Sequence, residues 1–343
     1  MEHLDPKLTI IHTLPDGFLT IDPRDLMTLM PNPTIIDLKS THDKPPLFVS
    51  ILLHGNETTG FYALQHLLSD YLSGDKTLPR DLIILVGNVY AAKLFQRRLV
   101  GQVDYNRIWA GGSRPEHLIA NQVLNYLRAR KPFAGIDIHN NTGSNPFYSC
   151  VNTLGFDSLH LAKLFSNLVV YFTRPHQTLS VALNQFTTAI TIESGRSGKE
   201  AGIERVYQFV EEVLNLPQLE TSRLTNNDVA MFHSIARIYV PNEATITFDK
   251  LPQSSYGFTF IENIESMNFL ELSENTCIGW RHQVDLKLQV INEQGEDVSD
   301  DMFHYDNGEI RVKRPIVPAM FCTSETIIRQ DCFGYIMQRY SID

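Results

Sequence analysis

The 343-residue chain reads as an α/β protein, a mixed and largely parallel sheet with helices on both faces, followed by a small β-rich C-terminal domain. Two observations predict this. From about residue 46 to 215, short apolar runs alternate with stretches of helical periodicity, the pattern of strands joined by crossover helices. Beyond about residue 225 the pattern becomes short alternating, β-branched segments with turn dipeptides such as Asn307-Gly308. The expected division is 1–225 for the α/β domain and 226–343 for the β-rich one, with the boundary in "LPQLETSRLTNND".

Each element has its own signature. "PLFVSILLHG" and "DLIILVGN" are brief, apolar and stopped by glycine, which predicts buried strands. "TGFYALQHLLSDYL" predicts a helix with Leu64, Leu67, Leu68 and Tyr71 as its apolar stripe. "RPEHLIANQVLNYLRAR" predicts a second, with Leu118, Val123, Leu124 and Leu127 on one side. "FAGIDIHNN" reads as a strand, "FDSLHLAKLFSNLVVYF" as a helix, "FTTAITIES" as a strand and "KEAGIERVYQFVEEVLNL" as a helix. In the last third, "ARIYVPNEATITF", "VDLKLQVINEQGEDV" and "GEIRVKRPIVPAMF" predict a small antiparallel barrel or sandwich.

Composition excludes some partners. The net charge is −10, with acidic and basic residues interspersed, which argues against nucleic acid or an anionic membrane surface. No apolar run approaches the roughly 20 residues of a membrane span. The start, "MEHLDPKLTIIHTLPDGF", lacks a basic opening and a sustained apolar core, so no signal peptide is expected. Four scattered cysteines without a CxxC indicate neither a disulfide framework nor a thiolate zinc site. A cytoplasmic protein with a small-molecule substrate fits best, and homo-oligomerisation stays open.

The chemistry lies where strands end, as open α/β sheets favour. His54 and Glu57 come directly after the first strong strand, and Gly55 between them lets the backbone turn to present both. Alone, an H-x-x-E pair is more often a surface pair than a metal site. His139 ends "GIDIH", with Asp137 on the same side of an extended strand, placed to orient a metal-bound imidazole. Two histidines and one glutamate with an open fourth position form a recurring catalytic zinc site. Glu193 ends "TAITIESG", as either a cap or a proton-transfer group. Asn106-Arg107 offers an amide donor and a planar fork for a substrate carboxylate, and Arg97 or Arg98 a further cation; the bland alternative is a solvated basic patch. A serine α/β-hydrolase is rejected because "ESGRSGKE" lacks the G-x-S-x-G elbow.

Taken together, "HGNE", "DYNR", "DIHNNTG" and "TIESG", in this order, resemble the succinylglutamate desuccinylase/aspartoacylase branch of the zinc carboxypeptidase-like superfamily. The resemblance implies one Zn²⁺ per chain held by His54, Glu57 and His139, Glu193 as general base and acid, and Asn106 and Arg107 as carboxylate anchors. The upstream arginine of the family pattern falls by spacing on Leu99, so Arg98 is taken for the carbonyl-polarising role, with Arg97 in reserve. The expected activity is zinc-dependent hydrolysis of the amide of an N-acyl amino acid or a related small carboxylate-bearing substrate. A carboxypeptidase acting on short peptides is the alternative, and a non-catalytic zinc-binding homologue the third reading.

Overall fold

The computed structural model describes residues 7–73 and 76–342, so Met1–Pro6, the opening of the segment read for a signal peptide, lies outside them. The chain divides into two compact units, one formed by residues up to 140 together with 147–230, the other by 141–146 with 231–342.

The first unit carries β1 (Thr9–Ile11), β2 (Thr34–Leu38), β3 (Leu47–Ile51), β4 (Leu82–Val86), β5 (Ala134–Asn141), β6 (Tyr148–Val151), β7 (Leu168–Tyr171) and β8 (Ala189–Arg196). They lie in the order β1-β2-β4-β3-β5-β8-β6-β7. β3 runs parallel to both β4 and β5, whereas β2 is antiparallel to β4 and β6 to β8. The sheet is therefore mixed and largely parallel. β3 and β4 are buried along their whole length, which accounts for their unbroken apolar sequences.

Helices α1 (Thr59–Leu72), α2 (Val89–Ala92), α3 (Pro115–Arg130), α4 (Phe156–Phe165), α5 (Leu179–Leu183) and α6 (Glu200–Asn215) connect these strands. They cover both faces. Gly60 of α1 lies so close to the sheet that a Cβ there would fall 2.9 Å from the Ile51 side chain and 2.8 Å from that of Ile138. The opposite face, with Phe48, Ile83 and Leu85, forms one core with Ile119, Val123, Leu124 and Leu127 of α3.

Two sequence expectations are corrected. Leu118 is 60% exposed, because Ile119 and Ala120 are the residues in helical register with Val123, Leu124 and Leu127. The helix expected over residues 156–172 stops at Phe165, and Leu168–Tyr171 forms β7 instead, its two valines suiting a strand. The short strands β1, β2 and β6 were not anticipated.

The second unit contains β9 (Ala230–Tyr239), β10 (Ile246–Asp249), β11 (Phe258–Ile261), β12 (Cys277–Arg281), β13 (Gln289–Asn292), β14 (Phe303–Asp306), β15 (Glu309–Val312), β16 (Val317–Ala319) and β17 (Gly334–Arg339). One small sheet has the order β10-β11-β12-β15-β14, while β13, β9, β17 and β16 pair antiparallel in that succession. β10 and β11 are parallel, so the expected purely antiparallel arrangement is not met. Ile238 and Ile336 from the second set share a core with Phe258, Phe260, Ile278 and Ile310 from the first, as in a sandwich. Among the described residues, no helix is long and apolar enough to cross a membrane.

Candidate active site

Strand order builds the site. β3, β5 and β8 are consecutive neighbours, so the turn after β3 and the ends of β5 and β8 converge at one edge of the sheet. Beyond β3 the chain bends at Leu52, which takes a left-handed φ of 56°. A turn closed by the Glu57 N–H donating to the His54 carbonyl (3.1 Å) then leads into α1. Gly55 has a different role from the one expected. It is not left-handed, but a Cβ there would lie 2.1 Å from the backbone nitrogen of Ala92, so glycine is required for close approach to α2.

Glu57 is shared between two imidazoles. His54 Nδ1 lies 2.8 Å from its Oε1, and His139 Nδ1 lies 2.7 Å from its Oε2. The ligand atoms of these three buried side chains all fall within 4.8 Å of one another, the single such group among the described residues. Each ring has a second carboxylate behind it. His54 Nε2 is 2.9 Å from Asp104 Oδ1, and His139 Nε2 is 2.9 Å from Asp137 Oδ2. Asp137 is fixed in turn by the Ser50 hydroxyl, which donates to Oδ1 at 2.5 Å.

This donor set fits a metal ion. A neutral imidazole has one N–H, yet both nitrogens of each ring face carboxylate oxygens. A cation bonded by the two Nδ1 atoms and Glu57 resolves the conflict, leaving each Nε2–H to donate to its own aspartate. Without such an ion His139 satisfies both carboxylates only with a second proton. Burial opposes this, but Asp137 and Glu57 raise His139 well above the usual imidazole range. Burial likewise opposes ionisation of Glu57, and His54 and His139 prevail, holding it far below the usual carboxylate range. Asp104 is also held well below that range against its burial, by Arg97 and His54.

Glu193, on β8, is buried beside this cluster. Burial drives its pKa up, His139 opposes, the charge of Glu57 adds to the rise, and the result is about 8.

The two neighbouring arginines differ in placement. Arg97 enters the cluster: its Nε and Nη2 donate to Asp104 Oδ2 at 3.1 and 2.9 Å, and its Nη1 lies 3.8 Å from Glu57 Oε1. Arg98 instead donates to the Gln102 carbonyl (3.1 Å) within its own loop. The Gly55 N–H donating to the Arg97 carbonyl (3.3 Å) fixes the backbone at Arg97 against the ligand turn.

Asn106 and Arg107 both lie near the cluster. The Asn106 amide is engaged at both ends, accepting from the Leu179 N–H at 2.9 Å and facing His139 Nε2 at 3.1 Å with its nitrogen. Arg107 is half-buried and donates to the Asn106 carbonyl at 2.9 Å. Sequence reasoning missed Asp104, which serves both His54 and Arg97. The signal was present, since it is the first residue of "DYNR".

The comparisons bear on the family and the fold. The model of the succinylglutamate desuccinylase/aspartoacylase catalytic domain matches residues 43–217, about half of the chain. No curated protein matches at the sequence level. Among solved structures, succinylglutamate desuccinylase from Chromobacterium violaceum is similar with a TM-score of 0.57 and 16% identity over 87% of this chain and 86% of that one. A succinylglutamate desuccinylase/aspartoacylase from Rhodobacter sphaeroides gives 0.59 and 15% identity, covering 89% of each chain. Murine aminoacylase 3 gives 0.54 and 16% identity, over 88% of this chain and 98% of that one. At such identities the structural likeness speaks for the fold; the extent of the domain match decides the family. The chain belongs to the succinylglutamate desuccinylase/aspartoacylase family, whose members are hydrolases acting on amides.

Proposed function

We propose that this protein is a zinc-dependent hydrolase that splits the amide bond of an N-acyl amino acid into a carboxylic acid and a free amine. The observation that carries the reading is the pair of imidazole Nδ1 atoms converging on Glu57, each ring backed by its own aspartate. His54, Glu57 and His139 would hold one Zn²⁺. When bound there, zinc supplies a Lewis acid and lowers the pKa of a water toward about 7.

The residues of the chain do the rest. Glu193 accepts a proton from the attacking water and delivers it to the departing amide nitrogen. A carboxyl whose pKa is raised to about 8 is suited to hold a proton between the two transfers. Arg97, held by Asp104 beside Glu57, polarises the scissile carbonyl oxygen. Arg107 pairs with the free carboxylate of the substrate, steadied by its bond to the Asn106 carbonyl, while the Asn106 amide nitrogen reaches toward Asp137, the carboxylate behind His139. The four cysteines are free thiols, which supports a reduced, cytoplasmic setting.

The test is a panel of N-acetyl and N-succinyl amino acids, each assayed beside its carboxamide analogue. The acids should be hydrolysed and the carboxamides poorly. Equal hydrolysis of both would remove the Arg107 anchor, and hydrolysis of neither by the zinc-loaded protein would remove the activity.

A further inference from the structure

Asn140 ties together the three strand ends that form the site, and we propose that it is a positioning residue for Glu193. The inference rests on the proposed hydrolase activity and adds to it the means by which the proton-transfer group is held against the ligand turn.

Asn140 comes directly after His139 on β5 and is 6% exposed. Its backbone N–H donates to Glu57 Oε2 at 3.2 Å. Its side chain reaches the other two elements. Oδ1 accepts from the Thr59 N–H at 3.2 Å, at the first residue of α1 directly after the ligand turn. Nδ2 lies 2.8 Å from Thr59 Oγ1, 2.8 Å from the Gly195 carbonyl oxygen and 3.0 Å from Ser194 Oγ, its two N–H groups serving these three acceptors with one shared. The Ser194 hydroxyl donates onward to the His139 carbonyl at 2.7 Å. The two residues after Glu193 are thus bonded to His139 and Asn140 at the end of β5.

A purely structural role would be to cap α1. That role needs an acceptor for the Thr59 N–H, which Oδ1 supplies, and it has no use for the donations to Ser194 and Gly195. Aspartate would keep the cap but could not donate, and serine is too short to span Thr59 and Gly195 together. Side chains alternate along β8, so a shift at Ser194 and Gly195 turns Glu193 relative to His139. An error of about 1 Å at such a group costs on the order of 100-fold in rate.

The test is a double-mutant cycle on zinc-loaded protein, with zinc content and thermal midpoint measured beside kcat and KM. The variants are Asn140→Ala, Glu193→Gln and their combination, and the substrate is the best N-acetyl amino acid for the wild type. Asn140→Ala should keep stoichiometric zinc and an unchanged KM, lose about 10- to 100-fold in kcat, and add no further loss to Glu193→Gln. Independent, multiplicative losses would overturn the proposal, as would loss of zinc from Asn140→Ala. If Asn140→Ala fails to fold, Ser194→Ala, which spares both Thr59 bonds, carries the same cycle. If the wild type hydrolyses nothing, the hydrolase reading falls, and a crystal structure of the zinc-loaded variant decides the positioning role. A displaced Glu193 carboxylate supports it; an unmoved one overturns it.

Discussion

His139 Nδ1 lies 2.7 Å from Glu57 Oε2, although the two residues belong to different elements, the end of β5 and the turn after β3. Because β3 and β5 are parallel neighbours, their carboxyl ends bring an imidazole and a carboxylate together without any long loop. This pairing makes the first prediction. His139→Ala should lose bound zinc by metal analysis, and zinc should raise the thermal midpoint of the wild type but not of the variant. Saturation at 100 times Kd corresponds to about 2.7 kcal/mol of added stability. Stoichiometric zinc in His139→Ala would remove His139 from the ligand set.

Asp104 supports His54 from behind and anchors Arg97 with its other oxygen. Asp104→Asn keeps the shape but weakens both bonds. Zinc affinity, measured by competition with a chelator, should fall about 10- to 100-fold. Unchanged affinity would mean that His54 needs no such partner.

Arg97 and Arg98 are neighbours with separate fates. Arg97→Ala should reduce kcat by about 100- to 1,000-fold, the size attached to one oxyanion donor. Arg98→Ala, which removes only a bond to the Gln102 carbonyl, should remain within a few-fold of the wild type. The reverse order would restore Arg98 to the carbonyl-polarising role.

Glu193 makes a prediction about stability. Its folded pKa of about 8 lies above the value of about 4.3 for an unfolded glutamate. The stabilising contribution is therefore complete below about pH 4 and is lost as pH rises toward 8, because the native state holds the proton longer. Metal-free Glu193→Gln should match the wild type near pH 4.5 and exceed it in thermal midpoint at pH 8. Glu57 and Asp104 shift the opposite way and are present in both proteins, so the comparison reads the change at Glu193 and its coupling to the cluster. Parallel midpoint curves for the two proteins would contradict the raised pKa.

Much of this architecture was legible because burial writes itself into sequence. β3 and β4 are buried on both faces, and their apolar runs stopped by glycine marked them. Leu118 misled because it sits one residue from the stripe led by Ile119, and periodicity alone does not say which neighbour faces the core. β7 was hidden because only Ser166 and Asn167 separate Leu168–Tyr171 from α4, and its apolar residues extend the helical pattern. At the site, the residue types suggested a metal-binding group but not its geometry. Spacing along the chain fell on Leu99 and Arg98 was its nearest arginine, whereas a salt bridge to Asp104 and a backbone bond to Gly55 place Arg97 at the cluster. Asp104 was passed over because its partner His54 is distant in sequence and only the fold brings them together.

On the proposed reading, this cluster hydrolyses an amide with Glu193 carrying the proton. Turnover of an N-acetyl amino acid by Glu193→Gln, at confirmed stoichiometric zinc, tests it most directly. Glutamine keeps the size of the side chain and cannot accept the proton. The expected result is full zinc occupancy, little change in KM, and a fall in kcat of at least about 100-fold. Near-normal turnover would contradict it, since the proton would then be moving through some other group.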